Sequence, residues 1–487
     1  MEKKPHIILI NPDQWRGDVL GHMGNPAAHT PFLDEWVTRD AVSVAGAFCQ
    51  NPVCTPSRCS FMSGWYPHVR GHRTMYHMMQ PGEPVLLKTL KDNGYYVWWG
   101  GKNDLVPGER GFDAYCHVKH EPERKPKPMF GGDLRRGEPG SDTYYSFYIG
   151  RIELAEGEEL YYDSDWANVL GAIDLLLNTP EDQPLCLYLP LVYPHPPYAV
   201  EEPWHSLIDR TKLPARIPAP ADWTGKPCMM KGLYERIGME GWTEDRWDEL
   251  RATYYGMCSR VDYQISLIVE ALKETGRYED TALFVFSDHG DFCGDYGLVE
   301  KAQNVFTDSL TRVPLIIKPP SSTAVKPRVS PAMAELIDLP ATVFELTGIE
   351  PGYTHFGRSL LPVVAGETDE HRDVVFCEGG RRLGEIHCNE SSMANSQPES
   401  LYYPRGCMQR SEDGEHTKAV MIRSRRYKYV RRLYEQDELY DLQEDPGETV
   451  NRINDDGLAS VLAELKERLL TFFLDTADAV PHERNAR

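Results

Sequence analysis

No apolar run in the sequence approaches the roughly 18 residues that a membrane-spanning helix requires, so a helical membrane protein is excluded. Positive charge is scarce: 52 Lys and Arg face 74 Asp and Glu, a formal net charge of −22. A surface that acidic repels polyanions, which removes nucleic acid and anionic membranes as non-specific partners. Any anionic ligand must therefore find its basic contacts gathered in one pocket. Cysteine is thin, eleven scattered through 487 residues and odd in number, unlike the disulfide framework of a small secreted domain. The first residues run straight into Ile7-Ile8-Leu9-Ile10 with no small-residue cleavage site behind them. No secretory signal is read there, and a cytoplasmic location is expected. No internal repeat is found. What remains is ordinary globular composition, 41% apolar and 26% charged, in a chain long enough for two to four structural units and a large unstapled core.

Short apolar, β-rich runs alternate with longer helical patterns, and that order predicts an α/β fold with a large, mostly parallel central sheet flanked by helices. Strands are expected at 7–10, 95–99, 185–193, 283–286 and 313–317. Helices are expected from Thr30, with Pro31 opening the first turn, at 86–90, at 166–177 and across 244–276. Two stretches rich in Pro, Gly, Lys and Arg, 119–160 and 200–243, read as insertions that shape a substrate entrance. Beyond about residue 365 the pattern changes to short strands at 374–378, 419–422, 427–431 and 438–442, followed by a helix over 458–474. The expected division is a catalytic domain, 1–365, and a smaller C-terminal α+β subdomain with an antiparallel sheet, 366–487.

Four apolar runs end in polar residues. Residues 7–10 lead to Asn11-Pro12-Asp13-Gln14, and 95–99 to Gly100-Gly101-Lys102-Asn103-Asp104. Residues 185–193 lead to Pro194-His195-Pro196-Pro197, and 283–286 to Ser287-Asp288-His289-Gly290. In open α/β sheets, ligands bind beyond the carboxyl ends of the strands. Each residue alone is weak evidence, and a lone Asp after a strand is more often a cap or turn residue. Together Asp13, Gln14, Asp288 and His289 offer mostly oxygen donors with one imidazole, a set suited to Ca²⁺, Mg²⁺ or Mn²⁺ rather than thiolate-bound zinc. A fifth segment, Cys54-Thr55-Pro56-Ser57-Arg58, reads as a helix start. Cys54 would lie at the N-terminus, where backbone N–H groups favour negative charge, and Arg58 one turn on.

The order of these segments resembles the type I sulfatases of the alkaline phosphatase superfamily. Cys54-x-Pro56-Ser57-Arg58, followed by Gly64, is similar to their signature, and Asp13-Gln14 and Ser287-Asp288-His289-Gly290 resemble their metal segments. Gly101-Lys102, Pro194-His195-Pro196, Gly297-Leu298 with Lys301, Arg312-Val313-Pro314-Leu315, Tyr427-Lys428-Tyr429 and 438–442 resemble later segments in the same order. The resemblance implies that a maturation enzyme oxidises Cys54 to Cα-formylglycine. It also implies one divalent metal, Ca²⁺ favoured and Mn²⁺ or Mg²⁺ next, held by Asp13, Gln14, the group at Cys54, Asp288 and His289. Hydration of the aldehyde would give a geminal diol. One hydroxyl attacks sulfur, and the second later loses its proton so that sulfate is expelled. Lys102, Lys301 and His195 would hold the sulfate oxygens, His195 or Lys301 would protonate the leaving alcohol, and Arg58 would hold the metal carboxylates. The sequence departs from many relatives at Asp104, where they carry a histidine.

The expected substrate is a small sulfate ester, a sulfated saccharide ahead of an aryl or steroid sulfate. Candidate substrate contacts are Asp104, His72 and Arg73, with Tyr76, His77, Trp223, Tyr234, Trp242 and the run from Gly379 to Arg405. Two alternatives stand beside a sulfatase: a phosphonate monoester or phosphodiester hydrolase of the same superfamily, and a non-catalytic metal- and ligand-binding relative.

Overall fold

A computed structural model describes residues 4–128, 136–178, 183–390, 396–411 and 414–483. Part of the expected insertion 119–160 and part of the run 379–405 lie outside the described residues. The strands are β1 (His6–Asp13), β2 (Val42–Phe48), β3 (Tyr96–Trp99), β4 (Val118–Lys119), β5 (Tyr148–Ile152), β6 (Leu185–Pro194) and β7 (Tyr198–Glu201). They continue with β8 (Thr281–Phe286), β9 (Leu315–Lys318), β10 (Arg328–Glu335), β11 (Val374–Gly379), β12 (Ala419–Ser424), β13 (Tyr427–Arg432) and β14 (Glu438–Asp441). Eight form one sheet in the order β10-β2-β9-β8-β1-β6-β3-β4. All run parallel except β9, which is antiparallel to both neighbours. A second sheet, β11-β12-β13-β14, is antiparallel throughout, and β5 pairs with β7. This is the expected fold class, a large, mostly parallel sheet with a C-terminal antiparallel one.

The central strands β1 and β8 are buried along their whole length, which is why they read as continuous apolar runs rather than alternating ones. Alternate residues serve opposite layers. Ile8 and Ile10 pack with Val37, Val169 and Ile265, whereas Ile7 and Leu9 pack with Phe61, Leu90 and Val343. The layers are built by helices Pro31–Arg39, Ser164–Asn178 and Glu244–Glu274 on one face and by Cys54–Ser63, Leu86–Asp92 and Asp338–Thr347 on the other. Helix Glu244–Glu274 begins with two acidic residues and carries Lys273 in its last turn, charges that complement the helix dipole.

Three features differ from the sequence reading. The strand expected at 313–317 is β9, the reversed one. Strands β2 and β10 were not expected: Val42–Phe48 is diluted by Ser, Gly and Ala, and Arg328–Glu335 contains Pro331. The stretch 200–243, read as an insertion, includes helix Cys228–Ile237. No helix among the described residues is long and apolar enough to cross a membrane.

The two larger sheets are joined by a buried charge cluster. Asp338 accepts from Arg372 Nε at 2.8 Å and Nη2 at 2.5 Å, from the Arg358 N–H and from the Glu335 N–H. Glu335 pairs with Arg372 at 2.9 Å and accepts from the Tyr66 hydroxyl and the Phe376 N–H of β11. Burial would raise the Asp338 pKa, but Arg372 holds it well below the usual carboxylate range. Removing the cation leaves two buried carboxylates without their partner, and breaking a buried pair in this way costs about 3–5 kcal/mol. Arg372→Ala should therefore lower unfolding stability by about that amount in urea denaturation followed by tryptophan fluorescence, with Arg372→Lys intermediate.

Candidate active site

Strand register brings the polar segments to one level. Ile10 on β1 pairs with Val285 on β8, so Asp13 and Asp288, each three residues on, emerge side by side. On the other flank Asp13 is opposite Pro194 of β6, which places His195 next to it. Gln14 then turns back with φ +70, a left-handed conformation that non-glycine residues rarely adopt and that clusters at functional sites. Its N–H donates to Asp288 Oδ1 at 3.1 Å.

Helix Cys54–Ser63 approaches these strand ends, and all ten of its residues are buried. Gly64 closes it with φ +75 and an N–H bond to the Ser60 carbonyl. Cys54 is its first residue, and Sγ lies 3.2 Å from His289 Nε2 and 3.5 Å from Asp13 Oδ1. Burial and the Asp13 carboxylate push the thiol pKa up, so an unmodified Cys54 is a protonated thiol and a poor nucleophile. Arg58, fully buried, reaches Asp288 through Nε at 2.9 Å and Asp13 through Nη2 at 2.8 Å. Lys102 Nζ adds 2.7 Å to Asp13, 3.7 Å to Cys54 Sγ and 2.8 Å to Asp104. Burial opposes ionisation of Asp13, but Lys102 and Arg58 hold its pKa well below the usual range.

Lys301 is also buried. Its ammonium group bonds to Gln14 Oε1 at 2.6 Å and His195 Nε2 at 3.0 Å and forms an ion pair with Glu300 Oε1 at 2.7 Å. His195 Nδ1 donates to the Pro196 carbonyl at 2.6 Å, which leaves Nε2 as the acceptor. Burial and then Lys301 push the His195 pKa well below its ordinary value.

The donors Asp13, Cys54, Asp288 and His289 place ligand atoms within 4.8 Å of one another. The His289 Nδ1–H bond to the Gly290 carbonyl leaves Nε2 as the acceptor, 3.2 Å from Cys54 Sγ and facing Asp13 Oδ1 at 3.6 Å and Asp288 Oδ1 at 3.9 Å. Three lone-pair atoms converging in a buried space fit a divalent cation. Gln14 differs from the other expected ligands. Its Nε2 donates to Asp291 at 2.6 Å, so its Oε1 is directed at Lys301.

Of the expected substrate contacts, Asp104 adjoins this centre through Lys102. His72 is occupied at both nitrogens, by the His77 carbonyl and by Glu83. Arg73 is paired with the Gly380 carbonyl and Glu385. Trp223 packs at a tilt against Tyr234 and Trp242 against Trp247, so both are engaged in packing. Four participants escaped the sequence reading. Asp291 orients the Gln14 amide and is pushed up to about 7 by burial. Tyr198 donates to Asp291 and accepts from the Glu300 N–H. Asp165 accepts the N–H groups of Val192 and Tyr193 just before His195. Glu300, at φ +64, is paired with Arg405 at 2.6 Å, and despite burial Arg405 and Lys301 hold its pKa at about 2. A carboxylate directly preceding Lys301 was the one available signal.

A mostly parallel sheet whose strand ends gather a buried cysteine at a helix start, paired carboxylates and two ammonium groups fits an ester hydrolase of the alkaline phosphatase type. Residues 5–349 match the Sulfatase family model, and the chain belongs to that family of sulfuric ester hydrolases. It is 26% identical to the multifunctional alkaline phosphatase superfamily protein PehA of Trinickia caryophylli, over 99% of this chain and 98% of that protein. In fold it is similar to the phosphonate monoester hydrolase of Agrobacterium radiobacter, with TM-score 0.76, 22% identity and coverage of 97% and 96%. It is also similar to a 2-O GAG sulfatase, with TM-score 0.71, 22% identity and coverage of 98% and 93%.

A ligand that binds only the folded state stabilises it by about 2.7 kcal/mol at 100 times Kd. Adding Ca²⁺ to chelator-treated protein should therefore raise the melting temperature, with metal analysis giving one ion per chain. Asp288→Asn should lose that response, and an unchanged response would place the ion elsewhere.

Proposed function

We propose that the protein hydrolyses a sulfate ester of a carbohydrate, with Cys54 converted by a maturation enzyme to Cα-formylglycine and one divalent ion, Ca²⁺ favoured, held by Asp13, Asp288, His289 and residue 54, while Gln14 is turned to Lys301. The observation that carries this is that two ammonium groups act on the Cys54 position, Lys102 at 3.7 Å from Sγ and Lys301 beside it. A sulfate monoester carries a single negative charge spread over its non-bridging oxygens, and two fixed ammonium groups suit the charge that builds there. A divalent cation would supply Lewis acidity, and a formylglycine hydrate would supply the nucleophilic hydroxyl. Arg58 keeps Asp13 and Asp288 together and, with Lys102, holds the Asp13 pKa low. The eleven cysteines are all unbridged, which suits a reducing compartment.

Leaving-group protonation is assigned to Lys301, with His195 as its hydrogen-bond acceptor. The Pro196 carbonyl keeps the imidazole proton on Nδ1, so Nε2 has no proton to give. A sugar alkoxide needs that proton almost fully delivered, whereas nitrophenolate does not.

A second reading, phosphonate monoester or phosphodiester hydrolysis, is favoured by the fold likeness to a phosphonate monoester hydrolase. Initial rates on sulfated saccharides, nitrophenyl sulfate and phenyl phosphonate esters separate the two, and faster turnover of the phosphonate would reverse the assignment. Two further outcomes are expected. Protein matured with the converting enzyme should show the aldehyde at residue 54 by peptide mass spectrometry, and Cys54→Ala should be inactive on every sulfate ester. Lys301→Ala should cost a sugar sulfate on the order of 10²-fold more than nitrophenyl sulfate, whereas His195→Ala should cost both alike. A His195→Ala loss confined to the sugar sulfate would return the acid role to His195.

A further inference from the structure

The Lys102 ammonium group has three neighbours: Asp13 at 2.7 Å, Asp104 at 2.8 Å and the Cys54 sulfur at 3.7 Å. Asp13 is tied to the centre through Arg58 as well. Asp104 Oδ2 meets Lys102 and accepts no further hydrogen bond among the described residues. The pair is not sealed off, since the Lys102 and Asp104 side chains keep 22% and 13% of their surface exposed. The loop that carries them is firmly held. Gly101, at φ +84, lies so near the Pro190 carbonyl that a Cβ there would come within 2.1 Å of its oxygen. The Lys102 N–H donates to the same carbonyl, and the Gly101 N–H to Asn168. Asn103 Oδ1 accepts the N–H groups of Leu105 and Val106, which closes a turn around Asp104.

An ionised carboxylate has acceptors and no proton to donate, so Asp104 offers no bond to an anionic ester. What it offers is repulsion. Its field reaches beyond Lys102, because Arg58 and Tyr188 also feel its charge. Coulomb repulsion scales with the charge of the group repelled. A sulfate monoester, a phosphonate monoester and a phosphodiester each carry one negative charge near neutral pH. A phosphate monoester carries close to two, because its second proton leaves at about pH 6. The doubly charged group therefore meets about twice the repulsion from Asp104. Lys102 by itself would draw that group in more strongly, and Asp104 offsets the advantage.

We propose that Asp104 is a specificity-determining residue, which biases the centre toward singly charged ester groups and against doubly charged ones. The proposal rests on the reading of this centre as the site of ester hydrolysis. It deepens that reading by naming the charge class of the substrate, to which sulfate esters belong and phosphate monoesters do not.

The test uses three substrates at about pH 8, where the phosphate is doubly charged: nitrophenyl sulfate, nitrophenyl phenylphosphonate and nitrophenyl phosphate. Their common nitrophenolate removes leaving-group protonation from the comparison. Values of kcat/KM are measured on matured wild type, Asp104→Asn, Asp104→Ser and Asp104→Glu. Each ratio is taken within one preparation, so it does not depend on how much of the protein is folded. Where phosphate turnover is too slow to follow, competitive inhibition by nitrophenyl phosphate takes its place. In Asp104→Asn and Asp104→Ser, phosphate should gain about tenfold or more relative to sulfate and phosphonate. Asp104→Glu keeps the charge and should keep the wild-type ratio. An unchanged ratio in the neutral variants, or an equal loss on all three substrates, would reduce Asp104 to a support for Lys102 and overturn the proposal. If wild type turns over the phosphonate and not the sulfate, the sulfatase reading fails, while the ratio of phosphate to phosphonate still decides the role of Asp104. Wild type inactive on all three would remove the hydrolase reading and the proposal with it.

Discussion

Arg58 has no exposed surface and spans two carboxylates, Asp13 and Asp288, that leave neighbouring parallel strands at the same level. Without a cation between them, those charges would repel in a medium that screens poorly, and the strand ends could not close. The same count extends outward. Arg58, Lys102, Lys301 and Arg405 face Asp13, Asp288, Asp104 and Glu300. Four positive and four negative groups leave the centre near neutral, and a divalent ion would then tip it positive. That is the sign an anionic ester requires in a protein whose overall charge is −22.

Geometry is held at a cost in backbone conformation. Gln14 and Glu300 both adopt left-handed φ values, and both touch Lys301. Surrounding bonds over-determine them: the Gln14 N–H and amide are each bound, and the Glu300 N–H is taken by Tyr198. Residues in such conformations persist where packing and hydrogen bonds leave no alternative. Tyr198, Asp291 and Gln14 thus form one hydrogen-bonded unit whose product is a Gln14 oxygen aimed at Lys301.

The C-terminal sheet contributes more than support. The Glu335–Arg372–Asp338 cluster fastens β11 to β10, and the chain beyond β11 sends Arg405 back to Glu300. Lys301 is therefore braced by a residue about a hundred positions away. A local pattern of apolar and polar residues carries no trace of that distance.

The sequence by itself determined the fold class, because buried parallel strands must be continuous apolar runs and those runs are visible without coordinates. It also determined which residues meet at the strand ends: Asp13, Lys102, His195 and Asp288 each directly follow such a run, and Cys54 and Arg58 lie one turn apart on one helix. Strands β2 and β10 were hidden because small residues and a proline dilute them. Tertiary structure alone decided how the collected groups pair. The Gln14 amide is turned by Asp291, 277 positions away, and His195 Nε2 is made an acceptor by the Pro196 carbonyl and Lys301. His72 is drawn off to Glu83, and Arg405 is brought to Glu300. Hydrogen-bond direction depends on which atoms lie within about 3 Å, and that is settled only when distant segments fold against one another.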